Sequence, residues 1–206
     1  MSRVGETFAR LRGEGRRGFI PFVTAGDPDA ETTLALLEEL ASAGANLIEL
    51  GVPFSDPVAD GPVIQRASER ALKNNVGHGE VLEVVRNFRR GSDIPIVLFS
   101  YFNPLMQFGV ERLAEEAARA GAGAVLATDL VPEESEEFGS ALARRGLDQI
   151  FLAAPTTSDA RLRLVAERAS GFVYAVSRAG VTGARTELDD EAERLVARLR
   201  GVTDLP

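Results

Sequence analysis

The chain has 206 residues, enough for one domain to bury a sizeable core, and it is 45% hydrophobic and 26% charged, as ordinary soluble globular proteins are. Acidic residues outnumber basic ones 31 to 23, and the resulting formal charge of −8 repels nucleic acid and anionic membrane. With no cysteine and one histidine, His78, there is no disulfide framework or thiolate nucleophile, and a His-rich zinc site or a Ser-His-Asp triad has little to work with.

In chain order, Val4, Phe8 and Leu11 recur at helical spacing and predict a first helix. Short apolar runs follow at 19–23, 46–50, 95–99, 124–128, 149–153 and 172–176. Helical patterns separate them at 30–43, 62–73 with 80–88, 110–120, 132–145, 159–169 and 189–200. Strands alternating with helices of this length predict right-handed βαβ units and a parallel sheet, and near-continuous apolar strands predict that both of its faces are covered. Gly44, Gly121 and Gly146 fall where a helix C-terminus wants a left-handed residue. The basic clusters Arg10/Arg12/Arg16/Arg17, Arg89/Arg90 and Arg144/Arg145 lie at helix ends, where they complement helix C-termini. No stretch approaches ~18 apolar residues and the N-terminus lacks a continuous apolar segment, so neither a membrane span nor a signal peptide is expected, and the expected compartment is the cytoplasm.

The joints after the strands are the longer ones: TAGDPDAE, GVPFSDPVADGP, SYFNPLMQFG, DLVPEES, APTTSD and SRAGVTGARTELD. Polar, Gly/Pro-rich loops at the C-terminal ends of parallel strands are where α/β folds bind ligands. No GxGxxG follows any strand, which argues against a dinucleotide site. A closed (β/α)₈ barrel needs eight units and typically about 250 residues. The expected fold is therefore a single domain over 1–206 of the TIM (β/α)₈ barrel family, with about six βα units present and residues 201–206 leading toward a seventh strand.

Three loops hold the candidate chemistry. Glu49 stands at the mouth of a buried strand, where desolvation raises a carboxyl pKa toward neutrality, as a general acid/base requires; pairing with an arginine or capping of backbone amides is the competing reading. Asp60 lies just before Pro62, which suits the first position of a helix, so it either complements the helix dipole or shares acid and base roles with Glu49 across one loop. Asp56, in Ser55-Asp56-Pro57, reads as a turn former. The loop 177–183, SRAGVTG, suits a flap or backbone amides approaching an oxyanion, and equally an ordinary flexible loop.

ELGVPFSDPVADGPVIQ (49–65), with PFVTAGDPD (21–29), YFNPLMQFG (101–109), VLATDLVPEES (125–135) and YAVSRAGVTG (174–183), resembles the tryptophan synthase alpha chain family over essentially the whole chain. The resemblance implies a TIM-barrel lyase that cleaves indole-3-glycerol phosphate to indole and glyceraldehyde 3-phosphate by a retro-aldol step. It implies that Glu49 is the proton-transfer group and that Asp60 hydrogen-bonds the indole N–H. Tyr174 becomes the aromatic beside the glutamate, Phe22, Ile64, Phe99, Leu126 and Leu152 the apolar lining, and Thr182 and Gly183 part of the flap. It further implies a beta-chain partner in an alpha2beta2 assembly, with pyridoxal phosphate in the beta chain and no cofactor in this one. Phe99 and Tyr101 alternate along one strand and so share a face, while Asp129 either serves the surroundings of Asp60 or pairs with a neighbour.

The family pattern runs on past Pro206 with two further βα units whose loops supply most of the phosphate site. For these 206 residues alone, the expectation is unpaired outer edges on the first and sixth strands and poor or absent lyase activity. Two other functions compete: another barrel enzyme acting on a sugar-phosphate-like substrate, and a non-catalytic activator of a beta chain.

Overall fold

A computed structural model describes residues 2–177 and 190–206. The chain opens with helix α1 (Arg3–Gly13), where the Ser2 hydroxyl accepts a hydrogen bond from the Gly5 amide at 3.0 Å as N-cap. Strand β1 (Phe22–Thr24), helix α2 (Ala30–Ser42), strand β2 (Ile48–Gly51) and the helix pair α3 (Pro62–Lys73) and α4 (His78–Phe88) follow. Next come β3 (Ile96–Ser100), α5 (Phe102–Phe108), α6 (Val110–Ala120) and β4 (Ala124–Ala127). A 3₁₀ turn (Pro132–Glu134), α7 (Glu136–Arg144), β5 (Asp148–Ala153), α8 (Asp159–Arg168), β6 (Val173–Ala175) and α9 (Asp190–Arg200) complete the described elements. The six strands form one parallel sheet in the order β1-β2-β3-β4-β5-β6, the arrangement of successive units of a partial (β/α)₈ barrel.

Period-two alternation sorts the strand side chains onto two faces. Leu47, Val97, Ala124, Leu126, Ile150 and Phe172 point to the concave interior, with Phe99, Leu152 and Tyr174 packed against them. Ile48, Leu50, Ile96, Leu98 and Val125 point outward into a helix-covered core with Leu37, Val85, Phe88, Leu113 and Phe138. Both faces of the central strands are thus buried, which is why they read as continuous apolar runs. Helix α1 closes the N-terminal end: Val4 is fully buried in the interior cluster, and the Phe8 ring lies 5.5 Å from that of Phe172. The expected left-handed joints are present, with φ of 94°, 90° and 72° at Gly44, Gly121 and Gly146.

Three expectations need correction. The joint after β3, read as a loop, contains α5. Its Pro104 stands in the first turn, where a missing N–H removes no intrahelical bond, and Asp129 Oδ1 accepts the exposed Phe102 amide at 2.6 Å. The helix expected over 132–145 is split, because the Ser135 hydroxyl donates to the Pro132 carbonyl at 2.9 Å and tightens the first turn into a 3₁₀ segment. The outer edge of β6 is not wholly unpaired, since the Val173 amide donates to the Pro206 carbonyl at 3.0 Å; residues 201–206 run back beside β6, where a seventh strand would lie. The outer edge of β1 carries no strand among the described residues.

Candidate active site at the C-terminal end of the sheet

Glu49 is placed by the backbone ladder. It pairs in register with Phe22 of β1 on one side and Val97 of β3 on the other, and alternation from Leu47 turns its side chain to the interior face. Only 4% of its surface is exposed, and no described side chain donates a hydrogen bond to its carboxyl. Burial alone pushes its pKa from the ordinary 4.5 up to about 7. Among the described residues no arginine pairs with Glu49, which favours the reading as a proton-exchanging carboxyl. Tyr174 lies close enough to feel it: burial, and then the Glu49 charge, raise the tyrosine pKa.

Three rings floor the same face. Phe22 meets Phe99 edge-on at 5.4 Å, and Phe99 meets Tyr174 edge-on at 6.3 Å. Gly51 leaves room for this packing, since a Cβ there would stand 2.5 Å from Phe22 Cζ.

Asp60 is held by side chains rather than by a strand. The Tyr101 hydroxyl donates to Asp60 Oδ2 at 3.1 Å and accepts the Ala59 amide at 2.9 Å, while Gln65 Nε2 donates to the Asp60 carbonyl at 2.9 Å. The Tyr101 ring packs against Phe54 at 5.2 Å. Helix α3 starts at Pro62 with Gly61 as its N-cap, so Asp60 is not the capping residue. Burial raises the Asp60 pKa, and the Tyr101 hydrogen bond pulls it back down. Burial dominates at Tyr101 as well, lifting the phenol to about 12, so it stays protonated as the donor. Tyr101 is the main residue that sequence reasoning undervalued. Alternation with Phe99 placed it on the right face, but nothing in the sequence signalled its bond to a loop 41 residues away. It lies just past the end of β3, as N-cap of α5.

Phe22, Asp60, Ile64, Phe99 and Tyr101 line one small cavity of about 10 Å³. Leu126 does not reach it and is fully buried in the interior cluster. Leu152 instead faces a cavity of about 440 Å³ between the C-terminal ends of β4 and β5, lined also by Thr128, Asp129 and Arg161. Asp129 serves the start of α5 through the Phe102 amide, one residue past Tyr101. Thr182 and Gly183 lie outside the described residues. Asp56 accepts a hydrogen bond from the adjacent Ser55 hydroxyl, in keeping with its reading as a turn residue.

The arrangement offers two carboxyls in unlike surroundings: Glu49 within β2, in register with Phe22, and Asp60 on the loop after β2, in the cavity that Phe22 and Phe99 line. One is poised to take and give a proton near neutrality, and the other is a tethered acceptor. Among the described residues, no group of three or more His, Asp or Glu side chains is arranged to hold a metal ion, and no helix is long and apolar enough to cross a membrane.

Comparison with known proteins bears on the fold and the family. The family model described as tryptophan synthase alpha chain matches residues 8–206. The tryptophan synthase alpha chain of Solibacter usitatus is 49% identical over 206 residues, an alignment covering all of this chain and 77% of that protein. That of Dechloromonas aromatica is 53% identical over 208 residues, again covering 77% of the relative. This chain thus spans about three quarters of the length of the curated relatives it matches. Among solved structures, tryptophan synthase subunit alpha of Legionella pneumophila superposes with a TM-score of 0.92 at 38% identity, covering 100% of this chain and 76% of that one. A chain of Mycobacterium tuberculosis tryptophan synthase superposes at 0.93 and 38% identity, with coverage of 100% and 78%. With a family model matching nearly its whole length and relatives near 50% identity, the chain belongs to the tryptophan synthase alpha chain family.

Proposed function

We propose that this chain is a carbon–carbon lyase that cleaves indole-3-glycerol phosphate to indole and glyceraldehyde 3-phosphate. The observation that carries the reading is Glu49, a carboxyl on the interior face of β2 with a pKa raised to about 7, which accepts no hydrogen bond from a described side chain. In the proposed reaction, protonated Glu49 delivers a proton to the ring carbon that bears the glycerol side chain. Positive charge then spreads to the indole nitrogen, whose N–H donates to Asp60, the carboxylate tethered by Tyr101. The Glu49 carboxylate next removes the proton from the hydroxyl on the adjacent side-chain carbon. The O–H electron pair becomes the aldehyde C=O, the carbon–carbon pair returns to the ring, and indole leaves with atoms and charge balanced. Phe22, Ile64, Phe99 and Tyr174 are the apolar and aromatic surfaces against which the indole ring would stack. Leu126 and Leu152 support this face from the interior and from its β5 side, and Thr182 and Gly183 belong to the flap in this reading.

The same reading gives the chain a tryptophan synthase beta chain as partner, with pyridoxal phosphate carried there and none needed here, in the cytoplasm. In its support, a tryptophan synthase a2b2 complex from Pyrococcus furiosus contains a chain 42% identical to this one over 91% of its length. Exposed apolar side chains include Val58 in the loop after β2, Val63 on α3 and Met106 on α5. Indole release from indole-3-glycerol phosphate, measured for the wild type and for Glu49→Gln with and without a beta chain, tests the reading. Turnover that is lost in Glu49→Gln supports it. Full activity in that variant removes it, and stimulation of the beta reaction that is indifferent to Glu49→Gln replaces it with the non-catalytic activator.

A further inference from the structure

Helix α3 supplies one wall of the cavity that holds Asp60, yet little apolar packing fixes it in place. Its Ile64 and Ser68 line that cavity together with Phe22 and Thr24 of β1. The side chains it buries are small, Ala67, Ser68 and Ala71, whereas α4 buries Val81, Leu82, Val84, Val85 and Phe88. It packs chiefly against β1. Small side chains bury little apolar area, so polar ties carry more of the position of such a helix. The Arg70 guanidinium grips Asp27, in the loop after β1, with two bonds: Nε donates to Oδ1 at 2.7 Å and Nη2 to Oδ2 at 2.8 Å. Asn74 Nδ2 donates to the Pro28 carbonyl of the same loop. The loop is itself held, since Thr33 Oγ1 accepts the Gly26 amide at 2.9 Å and a Cβ at Gly26 would stand 2.6 Å from Val76 Cγ2. Isolated surface ion pairs contribute little, but a two-pronged Arg–carboxylate fork fixes orientation as well as distance, and the Asp27 side chain is only 19% exposed.

We propose that the Asp27–Arg70 fork is a clamp that holds α3 against β1 and so sets the width of the Asp60 cavity, which makes Arg70 a positioning residue for the α3 wall. On one side of the clamp β1 brings Phe22 and Thr24 to the cavity, and on the other α3 brings Ile64 and Ser68. Gln65 passes the position of α3 on to the preceding loop, because its Nε2 donates to the Asp60 carbonyl. Glu49 is placed by the β2 ladders and Tyr101 by the end of β3, so neither depends on the fork. Releasing the fork therefore loosens the surface that would hold the substrate ring more than the group that moves the proton. The effect on turnover rests on the proposed lyase reaction, whereas the clamp itself does not.

Arg70→Gln, Asp27→Asn and the double variant, made in the whole chain, provide the test. In the indole-release assay each single substitution raises KM about fivefold and leaves kcat within about twofold, and the double variant is no worse than either single one, because a shared pair is lost only once. Arg70→Lys keeps the charge but not the fork and recovers less than half of the loss; full recovery would show that charge alone suffices and overturns the fork. Unchanged KM in Arg70→Gln, or penalties that add in the double variant, overturns the positioning role, since a merely structural tie lowers the melting temperature and leaves KM alone. Amide hydrogen exchange gives a second reading that needs no turnover: amides of 62–73 exchange about fivefold faster in Arg70→Gln, with those of β2 and β3 unchanged. Equal protection of α3 in wild type and variant overturns the clamp. If the wild type releases no indole, the lyase reading fails by itself, and the exchange rates still decide this one.

Discussion

Glu49 and Asp60 hold the same functional group in place by opposite means. Glu49 rides on a strand paired on both sides, so its position is set by two backbone ladders and its pKa by burial alone. Asp60 rides on a loop, and its carboxyl is positioned by the Tyr101 hydroxyl while Gln65 pins its backbone carbonyl. Among the described residues the strand-borne acid has no hydrogen-bond partner that a mutation can remove, and burial is the one influence on its pKa. The loop-borne acid sits between burial, which raises its pKa, and a hydrogen bond, which lowers it, and one substitution can shift that balance. A division of this kind lets one carboxyl stay protonated near neutrality while the other stays ionised.

The largest expected effect tests the strand-borne half. Glu49→Gln should lower kcat for indole release on the order of 10³-fold, the middle of the range for losing a general acid/base. Its stability should move the other way. Because the folded-state pKa of Glu49 is raised from 4.5 to about 7, the folded state binds the proton more tightly than the unfolded state does. Wild-type stability therefore falls as pH rises from about 4.5 to about 7, by about 3 kcal/mol at most, and stays reduced above that window. The glutamine variant lacks a titrating group and escapes this decline. Melting temperatures of both proteins between pH 4 and 8 should diverge across the window, with the variant higher at pH 8, and parallel curves would falsify the burial account of Glu49. In the wild type, kcat/KM should fall as pH passes about 7, because the protonated acid is the form that starts the reaction.

How much of this was legible in the sequence follows the same division. The strands, the helices at 62–73 and 110–120 and the left-handed glycine joints were readable because burial on both faces and helix capping leave local marks. Glu49 was readable for a related reason, as one carboxylate at the mouth of an apolar run. Helix α5 was not, because Asn103, Pro104 and Gly109 look like loop chemistry until Pro104 is found in a first turn. The Asp60–Tyr101 bond joins residues 41 apart, and only the packing of the β2–α3 loop over the end of β3 brings them together. Asp60 was raised above a helix-start residue by family resemblance alone. The fate of Leu126, which is core rather than cavity wall, reflects the same limit, since alternation gives the face of a side chain and not its depth.

A second variant presses on the strand-borne half without touching a carboxyl. Gly51→Ala puts a methyl 2.5 Å from Phe22 Cζ, so the ring that packs edge-on against Phe99 must shift. The φ of Gly51 is not in the left-handed region, so the penalty is steric rather than conformational. Overpacking of this kind destabilises by about 1–3 kcal/mol, which lowers the melting temperature of a domain of this size by roughly 2–12 °C. If the rings bind indole, KM should rise while the Glu49 limb near pH 7 stays in place. A limb that moves with the ring would show that Phe22 controls the burial of Glu49 as well.

The smallest expected effect belongs to the loop-borne half. Tyr101→Phe deletes the donor to Asp60 Oδ2 and the acceptor of the Ala59 amide. Ala59 is exposed, so water replaces its lost partner and the stability loss should stay near about 1 kcal/mol, below that of Gly51→Ala. The informative change is in the pH profile. The Tyr101 hydrogen bond is the influence that lowers the Asp60 pKa, and burial remains when it is gone, so the carboxyl should titrate at higher pH than in the wild type. If ionised Asp60 is needed to accept the indole N–H, the acid limb of kcat/KM moves up in pH. The alkaline limb near 7, which belongs to Glu49 on its strand, should not move, because no described hydrogen bond links Tyr101 to that carboxyl. The profile narrows from one side only. A shift of both limbs would mean that the two carboxyls titrate as a coupled pair, and the separation between strand-borne and loop-borne acid would then be lost.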